Sequence, residues 1–320
     1  MLREITLRQL KPKRFIERQV RSIAEQVGGG TAVNALSGGV DSSVVTMLGH
    51  KALGGRLKTY LIENGLMREG ELERTVKRFR RLGVEVELID ARDEFFAALA
   101  GLTDPEQKRE AITQTFYKQV FGRLVRESGA KCLLQGSIYT DIEETIAGIK
   151  RQHNVLAQLG IDTEQAFGYK VIEPVIELRK PAVRVVGKAL GLPREIYDRP
   201  PFPGPALAAR VIGEVTPQRI ATVRAATSIV EKALMPTGAF QCMAILHEDR
   251  VTGMRDGKRD FGQQIEIRCW DTRDAVKAAP TAIPVSKLFA VARRLTQQVP
   301  GVVSVTYNIA SKPPSTMEAV

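Results

Sequence analysis

Cysteine is scarce: Cys132, Cys242 and Cys269 are the only three in 320 residues. They are too few and too scattered for a disulfide framework or a zinc cage. No uninterrupted apolar run approaches the roughly 20 residues that span a bilayer, so no membrane helix is expected. The N-terminal MLREITLRQLKPKRF is charged and has no apolar h-region, which argues against secretion and for a reducing cytoplasm. Acidic residues fall short of basic ones, 36 Asp+Glu against 47 Lys+Arg, a formal charge of +11. That balance admits an anionic ligand such as a nucleotide, pyrophosphate or RNA without choosing among them. No internal repeat or low-complexity tract interrupts the chain. Apolar residues at 43% and charged residues at 26% fit a folded globular protein. The length suggests two domains, since single cores stop growing at about 250 residues.

Residues 31–36 (TAVNAL), 57–62, 84–89, 131–135 and 170–172 read as short strands. Between them lie helical stretches, from the turn SGGVDSS to about residue 53, over 69–82 and over 106–128. This alternation predicts an open, largely parallel sheet with helices on both faces, ligands binding beyond the strand C-termini. The rhythm changes at RPPFPGPALAAR, whose prolines cannot continue a regular helix. Beyond it the pattern predicts a strand over 208–215 (AARVIGEV), a helix over 217–234 and strands over 239–246 and 263–270 around Asp256-Gly257. A helix over 284–298 and a last strand over 302–309 follow. The expected division is a first domain over residues 1–200 and a smaller α+β domain over 201–320.

The sharpest chemical signal is Ser37-Gly38-Gly39-Val40-Asp41-Ser42-Ser43, between a predicted strand and a predicted helix. Two glycines allow close backbone approach, the helix start offers free N–H groups and a positive dipole end, and serine hydroxyls add donors. It is not a Walker A loop, because no Gly-Lys-Ser/Thr follows. The plain alternative is a glycine turn entering a helix, but every polar group here suits phosphate.

This heptapeptide resembles the PP-loop of ATP pyrophosphatases, which split ATP between its α and β phosphates and adenylylate an acceptor oxygen. The resemblance tightens to the GMP synthetase family along the chain. Residues 63–68 (ENGLMR) are similar to that family's DNGLLR, 135–141 (QGSIYTD) to QGTLYPD, and 149–155 (IKRQHNV) to IKSHHNV. Ile172-Glu173-Pro174 with Glu177, Leu178 and Lys180 resembles IEPLRELFK. Residues 199–210 resemble RHPFPGPGLAIR, and 311–318 (SKPPSTME) resemble SKPPATIE. The blocks keep the family's order from residue 31 to the end and cover its synthetase half.

That resemblance implies an adenine-nucleotide α-hydrolase-like α/β domain followed by a dimerisation domain, hence a homodimer. It implies adenylylation of the C2 oxygen of xanthosine 5′-monophosphate with ATP and Mg²⁺, then displacement of AMP by ammonia. Ser37, Gly38, Gly39, Val40, Asp41, Ser42, Ser43 and Gly136 would hold the ATP phosphates, with Asp41 placing the metal. Ala35 and Leu61, beside Leu36, would line the adenine pocket, and Lys180 would clamp departing pyrophosphate. Lys150, with His153 and Asn154, lies in what resembles the lid that closes over both substrates. Arg68, Arg210, Arg268, Lys312 and Glu318 would bind the purine nucleotide. Glutamine hydrolysis needs an activated cysteine in a domain of its own, and no motif surrounds any cysteine here. Ammonia would come free or from a separate glutamine amidotransferase subunit.

Several positions depart from the pattern. Glu63 replaces Asp, Pro181 replaces the Asp after Lys180, the lid reads Arg151-Gln152-His153 in place of Ser-His-His, and residues 269–287 keep only traces of the family's AVTSTDGMTADW. The ATP side is better preserved than the acceptor side. Two alternatives therefore stand beside the first reading: a related enzyme that adenylylates another carbonyl oxygen, and a tRNA-modifying PP-loop protein that uses the positive charge. Against the latter, the chain has no CxxC pair, so nucleic acid is the lesser option.

Overall fold

The computed structural model describes residues 3–146, 169–200, 202–255, 257–272 and 276–319. The chain forms two compact units. Residues up to Glu63, Leu72–Asp90 and Phe116–Arg199 make the first; Asn64–Glu71, Ala91–Thr115 and the residues from Pro200 onward make the second. The second unit thus draws two earlier segments of the chain to itself.

In the first unit, β1 (Ala32–Ala35), β2 (Leu57–Glu63), β3 (Val86–Asp90), β4 (Cys132–Leu134) and β5 (Lys170–Ile172) form one sheet in the order β3-β2-β1-β4-β5, with every pairing parallel. Successive residues of a strand point to opposite faces. Ala32, Val33 and Asn34 in β1 and Cys132, Leu133 and Leu134 in β4 are all buried, so both faces of the sheet centre are covered. This is the expected α/β layering. From β1 the strand order runs one way to β2 and β3 and the other way to β4 and β5. The turn after β1 therefore sits at the topological switch point, where such sheets bind ligands.

Among the described residues, the helices of this unit are α1 (Pro12–Val27), α2 (Val40–Leu53), α3 (Glu71–Arg81), α6 (Gly122–Ser128), α7 (Tyr139–Ile146), α8 (Lys180–Ala189) and α9 (Arg194–Tyr197); α4 (Arg92–Leu99) and α5 (Pro105–Gln114) belong to the second unit. Phe15, Ile23, Val44, Leu48, Val183 and Val186 from α1, α2 and α8 share one core with the sheet. Helix α1 has no counterpart among the expected elements, although Pro12 opens it and Phe15, Ile23 and Val27 recur at helical spacing. The helix expected over 106–128 is α5 and α6 joined by a π-helical stretch, Thr115–Phe121. There the Tyr117 carbonyl lies 3.0 Å from where a Cβ at Gly122 would stand, so the wide turn fits a residue without a side chain.

In the second unit, β6 (Gln241–Arg255) and β7 (Lys258–Asp271) form an antiparallel hairpin, longer than the two strands expected there. Arg255 pairs with Lys258, and Gly257 adopts φ +75°, as a tight hairpin turn requires. β8 (Ala279–Pro280) pairs antiparallel and β9 (Val302–Tyr307) parallel to β7. Helices α10 (Pro217–Leu234) and α11 (Val285–Gln298) complete the α+β unit. Fully buried Trp270 packs with Met243, Ile245 and Ala278. One expectation is corrected: the segment 208–215 is not a strand. Ala206–Arg210 form a 3₁₀ helix, with Ala206 N–H donating to Pro203 O and Ala208 N–H to Pro205 O, and only Val211 makes a bridge, to Leu246. The prolines set turn geometry that the apolar run cannot override.

Candidate active site

The PP-loop candidate closes β1 onto α2. Leu36 N–H donates to Tyr60 O, which holds the strand end beside β2, and Gly38 turns the chain at φ +76°. The serines then tie the loop to itself. Ser37 N–H donates to Ser42 Oγ (3.1 Å), the two hydroxyls lie 2.9 Å apart, and Ser42 Oγ donates to Gly39 O (3.2 Å). Gly39 is the N-cap of α2 and no side chain caps the helix start. An uncapped helix N-terminus presents N–H groups and the positive dipole end, the arrangement that binds phosphate.

Asp41 sits in the first turn of α2, and one of its oxygens, Oδ2, pairs with Lys180 Nζ from the first turn of α8. Its other oxygen, Oδ1, is buried without a hydrogen-bond partner, as is the hydroxyl of fully buried Ser43. Buried polar atoms are normally satisfied, so these two are exceptions within the loop. Pro181 is no obstacle: a proline in the first helical turn gives up an N–H that has no intrahelical partner. Gly136 lies against the loop, since a Cβ there would stand 3.2 Å from Ser42 N and 3.3 Å from the Asp41 carbonyl carbon. Leu61 is buried in β2 and Ala35 half-buried at the end of β1. Beneath the loop runs a buried network that no sequence motif announces. Thr59 Oγ1 donates to Asn34 Oδ1 (2.8 Å), Asn34 Nδ2 donates to Thr46 Oγ1 (2.6 Å), and Thr46 Oγ1 donates to Ser42 O (2.8 Å). It fixes α2 to β1 and β2 under the serines.

The second unit gathers most of the other candidates into one charge cluster. Arg68 donates from Nε to Glu71 (3.0 Å) and from Nη1 to Glu231 (3.1 Å), and its guanidinium lies 4.3 Å from the Phe202 ring centroid. Burial alone would lower the Arg68 pKa; the charges of Glu231 and Glu71 outweigh it and push it above its ordinary value. Arg210 is 1% exposed. It donates from Nε to Glu318 Oε2 (3.3 Å), its Nη1 lies 3.7 Å from Glu231 Oε1, and it faces Phe202 at 5.1 Å. Nη1 itself makes no hydrogen bond. Gln241 donates to the second Glu318 oxygen (3.2 Å).

Arg268 serves the C-terminal segment's backbone. It donates from Nη1 to Thr316 O (3.0 Å) and Glu318 O (3.4 Å), and from Nε to Glu266 (2.5 Å), which also binds His247 Nε2 (2.8 Å). Trp270 Nε1 donates to Met317 O, and Lys312 exchanges backbone hydrogen bonds with Ala278. Glu318, Arg210 and Arg268 are thus engaged with one another's neighbours, an arrangement that motif matching does not reveal. Glu231, Gln241, Glu266, His247 and Phe202 complete the cluster without a short motif to announce them. Lys150, His153 and Asn154 lie outside the described residues.

Glu266 gives a pH-dependent consequence. Burial alone would raise its pKa, but the hydrogen bonds and charges of His247 and Arg268 outweigh burial and hold it below the ordinary carboxylate value. A depressed carboxyl stabilises the fold fully above its unfolded pKa and loses that contribution as pH falls through its folded pKa. Wild type is therefore expected to exceed Glu266→Gln in Tm at neutral pH, with the gap closing below about pH 4. Thermal unfolding of both proteins across that range is the measurement.

The comparisons with known proteins agree with this geometry. A family model described as NAD synthase matches residues 13–205, and one described as GMP synthase C terminal domain matches residues 228–319. The chain is 45% identical to the B subunit of the glutamine-hydrolyzing GMP synthase of Archaeoglobus fulgidus over 306 residues, 96% of this chain and 98% of that protein. It is 45% identical to the protein of the same name from Methanoregula boonei (97% and 99%) and 41% identical to that of Pyrococcus furiosus (96% and 97%). The chain belongs to the GMP synthase B-subunit family. Within that family it is an ATP-using, ligase-type pyrophosphatase with the PP-loop architecture. Its three thiols are free and buried, and Cys242 is pushed far up by its hydrogen-bonded neighbour Cys269 and by burial. Among the described residues, no helix is long and apolar enough to cross a membrane.

Proposed function

We propose that this chain is the synthetase subunit of a two-subunit GMP synthase, with xanthosine 5′-monophosphate as acceptor. The C2 oxygen attacks the α-phosphorus of ATP, the bond to the β-phosphate bridging oxygen breaks, and pyrophosphate leaves. Ammonia then adds at C2 of the adenylylated purine, loses a proton, and expels AMP with the C2 oxygen, giving GMP. The observation that carries this reading is the PP-loop with two unsatisfied buried atoms, Asp41 Oδ1 and Ser43 Oγ, beside the Asp41–Lys180 pair.

In this reading Ser37, Gly39, Ser42 and Ser43 hold the pyrophosphate part of ATP through hydroxyls and the α2 amides. Ala35 and Leu61 flank adenine, and Gly136 keeps the loop seated. Lys180 clamps the leaving pyrophosphate as a point charge. Asp41 fits a magnesium ion, since an unsatisfied buried carboxylate oxygen is a hard ligand of the kind that ion takes singly with substrate phosphates. When bound, Mg²⁺ would offset phosphate charge. Arg210 positions Glu318 for the purine, Arg68 holds Glu231 beside Arg210 and offers its guanidinium to the nucleotide, Arg268 sets the segment that carries Glu318, and Lys312 supplies charge for the monophosphate. Lys150, His153 and Asn154 belong to the lid.

Ammonia is delivered by a separate glutamine amidotransferase subunit, in keeping with the names of the relatives and with the burial of all three thiols. Met254, Phe261, Val285, Phe289 and Ile309 are exposed on the second unit and suit a homodimer contact. The first unit serves as the pyrophosphatase domain and the C-terminal one for nucleotide binding and dimerisation, in the cytoplasm. Oxygen-18 at C2 of the acceptor tests the chemistry. Label is expected in AMP; label left in the purine or in water would overturn it.

A further inference from the structure

We infer that Arg199 is a positioning residue for the PP-loop, holding the Gly38–Gly39 peptide so that its amide faces the phosphates. Arg199 Nη1 donates to Gly38 O at 3.0 Å. A peptide unit is planar and trans, so the Gly38 carbonyl and the Gly39 N–H point in opposite directions. Fixing the carbonyl on Arg199 therefore fixes the amide on the other edge. That amide has only a long contact of its own, 3.4 Å to Ser37 Oγ.

The clamp answers a weakness built into the loop. Two adjacent glycines let the backbone approach an anion closely, but they also let the plane between them rotate at little steric cost. In the present orientation of the plane Gly39 has φ −77°. Turning it over would present the Gly38 carbonyl oxygen to the phosphates, replacing a donor by a repulsive acceptor. The shorter serine hydrogen bonds secure Ser37, Ser42 and the Gly39 carbonyl, outside that plane, and the one serine contact within it is the long one from the Gly39 amide to Ser37 Oγ. Arg199 supplies the missing restraint and adds positive charge at the loop.

Arg199 is itself braced. Arg184 donates from Nη2 to the Arg199 carbonyl at 3.2 Å, and its Nη1 lies 3.6 Å from Asp198. Arg184 lies on α8, four residues after Lys180, and so one helical turn along the helix that delivers the pyrophosphate clamp. One helix thereby sets both the lysine that pairs with Asp41 and the arginine that orients the loop amide.

The inference rests on the proposed function of the loop, so the test separates the two. The full chain, its Arg199→Met and its Arg199→Lys variants are compared in binding of magnesium pyrophosphate by calorimetry and in steady-state kinetics. Losing one well-aimed amide to an oxyanion is expected to weaken pyrophosphate and raise the KM for ATP together, by about 10- to 100-fold in Arg199→Met. The KM for the acceptor nucleotide and the Tm should stay near wild type. Arg199→Lys, which keeps a donor and the charge, should fall between. Wild-type pyrophosphate affinity in Arg199→Met, or equal loss for ATP and acceptor with a fall in Tm, would overturn the inference while leaving the loop's function standing. A wild-type chain that neither binds pyrophosphate nor forms AMP would sink the parent reading, and this one with it.

Discussion

Replacing Lys180 by alanine is expected to lower kcat for AMP formation by about 10²–10³-fold, the usual effect of removing one preorganised group that meets developing charge. The charge in question appears on pyrophosphate as the bond to the α-phosphate breaks. Lys180 can meet it because α8 starts where the ammonium reaches Asp41, and its side chain is 48% exposed. That exposure makes the cost to folding small, since exposed ion pairs contribute about 0–1 kcal/mol. Activity should collapse while Tm hardly moves. Rapid-quench measurement of AMP, beside a thermal melt, checks both halves. A variant within threefold of wild-type activity would remove Lys180 from the mechanism.

The opposite pattern is expected at Arg210. Its side chain is 1% exposed and lies between Glu318 and Glu231. Arg210→Met keeps much of the volume but strands two carboxylates against a partly buried surface. Breaking a buried pair costs about 3–5 kcal/mol, and the lower end applies here because Glu231 retains Arg68 and both carboxylates reach some solvent. For units of this size that corresponds to a fall in Tm of roughly 5–10 °C. The KM for the acceptor nucleotide should rise as well, because Glu318 loses one of its two side-chain partners and keeps only Gln241. An unchanged melting temperature would mean that the cluster carries no stability.

Much of the first unit is legible because its signals are local. A strand, two glycines, an aspartate and serines at a helix start lie within a dozen residues, and their chemistry is the same whatever surrounds them. The strands β1 to β5 are short apolar runs separated by amphipathic stretches, which is why the parallel sheet follows from the sequence. The segment 208–215 is different: AARVIGEV looks apolar enough for a strand, and the prolines before it decide otherwise. The charge cluster is less legible still. Arg68 and Glu231 are 163 residues apart, and Arg210 and Glu318 are 108 apart. Nothing in an arginine's neighbours along the chain says that it will be buried, since arginine is mostly exposed. The family resemblance singles out these arginines but is silent on their protein partners, the glutamates and backbone carbonyls that their guanidinium groups hold. The Asn34–Thr46–Thr59 network is hidden for a similar reason, because three small polar residues inside apolar runs carry no pattern of their own.

In the proposed reaction ATP is split only to activate xanthosine 5′-monophosphate. Incubating the purified chain with ATP, Mg²⁺, that nucleotide and ammonium, and measuring AMP, pyrophosphate and GMP in one reaction, tests it most directly. The three products are expected in equal amounts, all dependent on the nucleotide, with ammonium sufficient and glutamine alone insufficient. Pyrophosphate released at the same rate without the nucleotide, or AMP formed with no GMP, would contradict it.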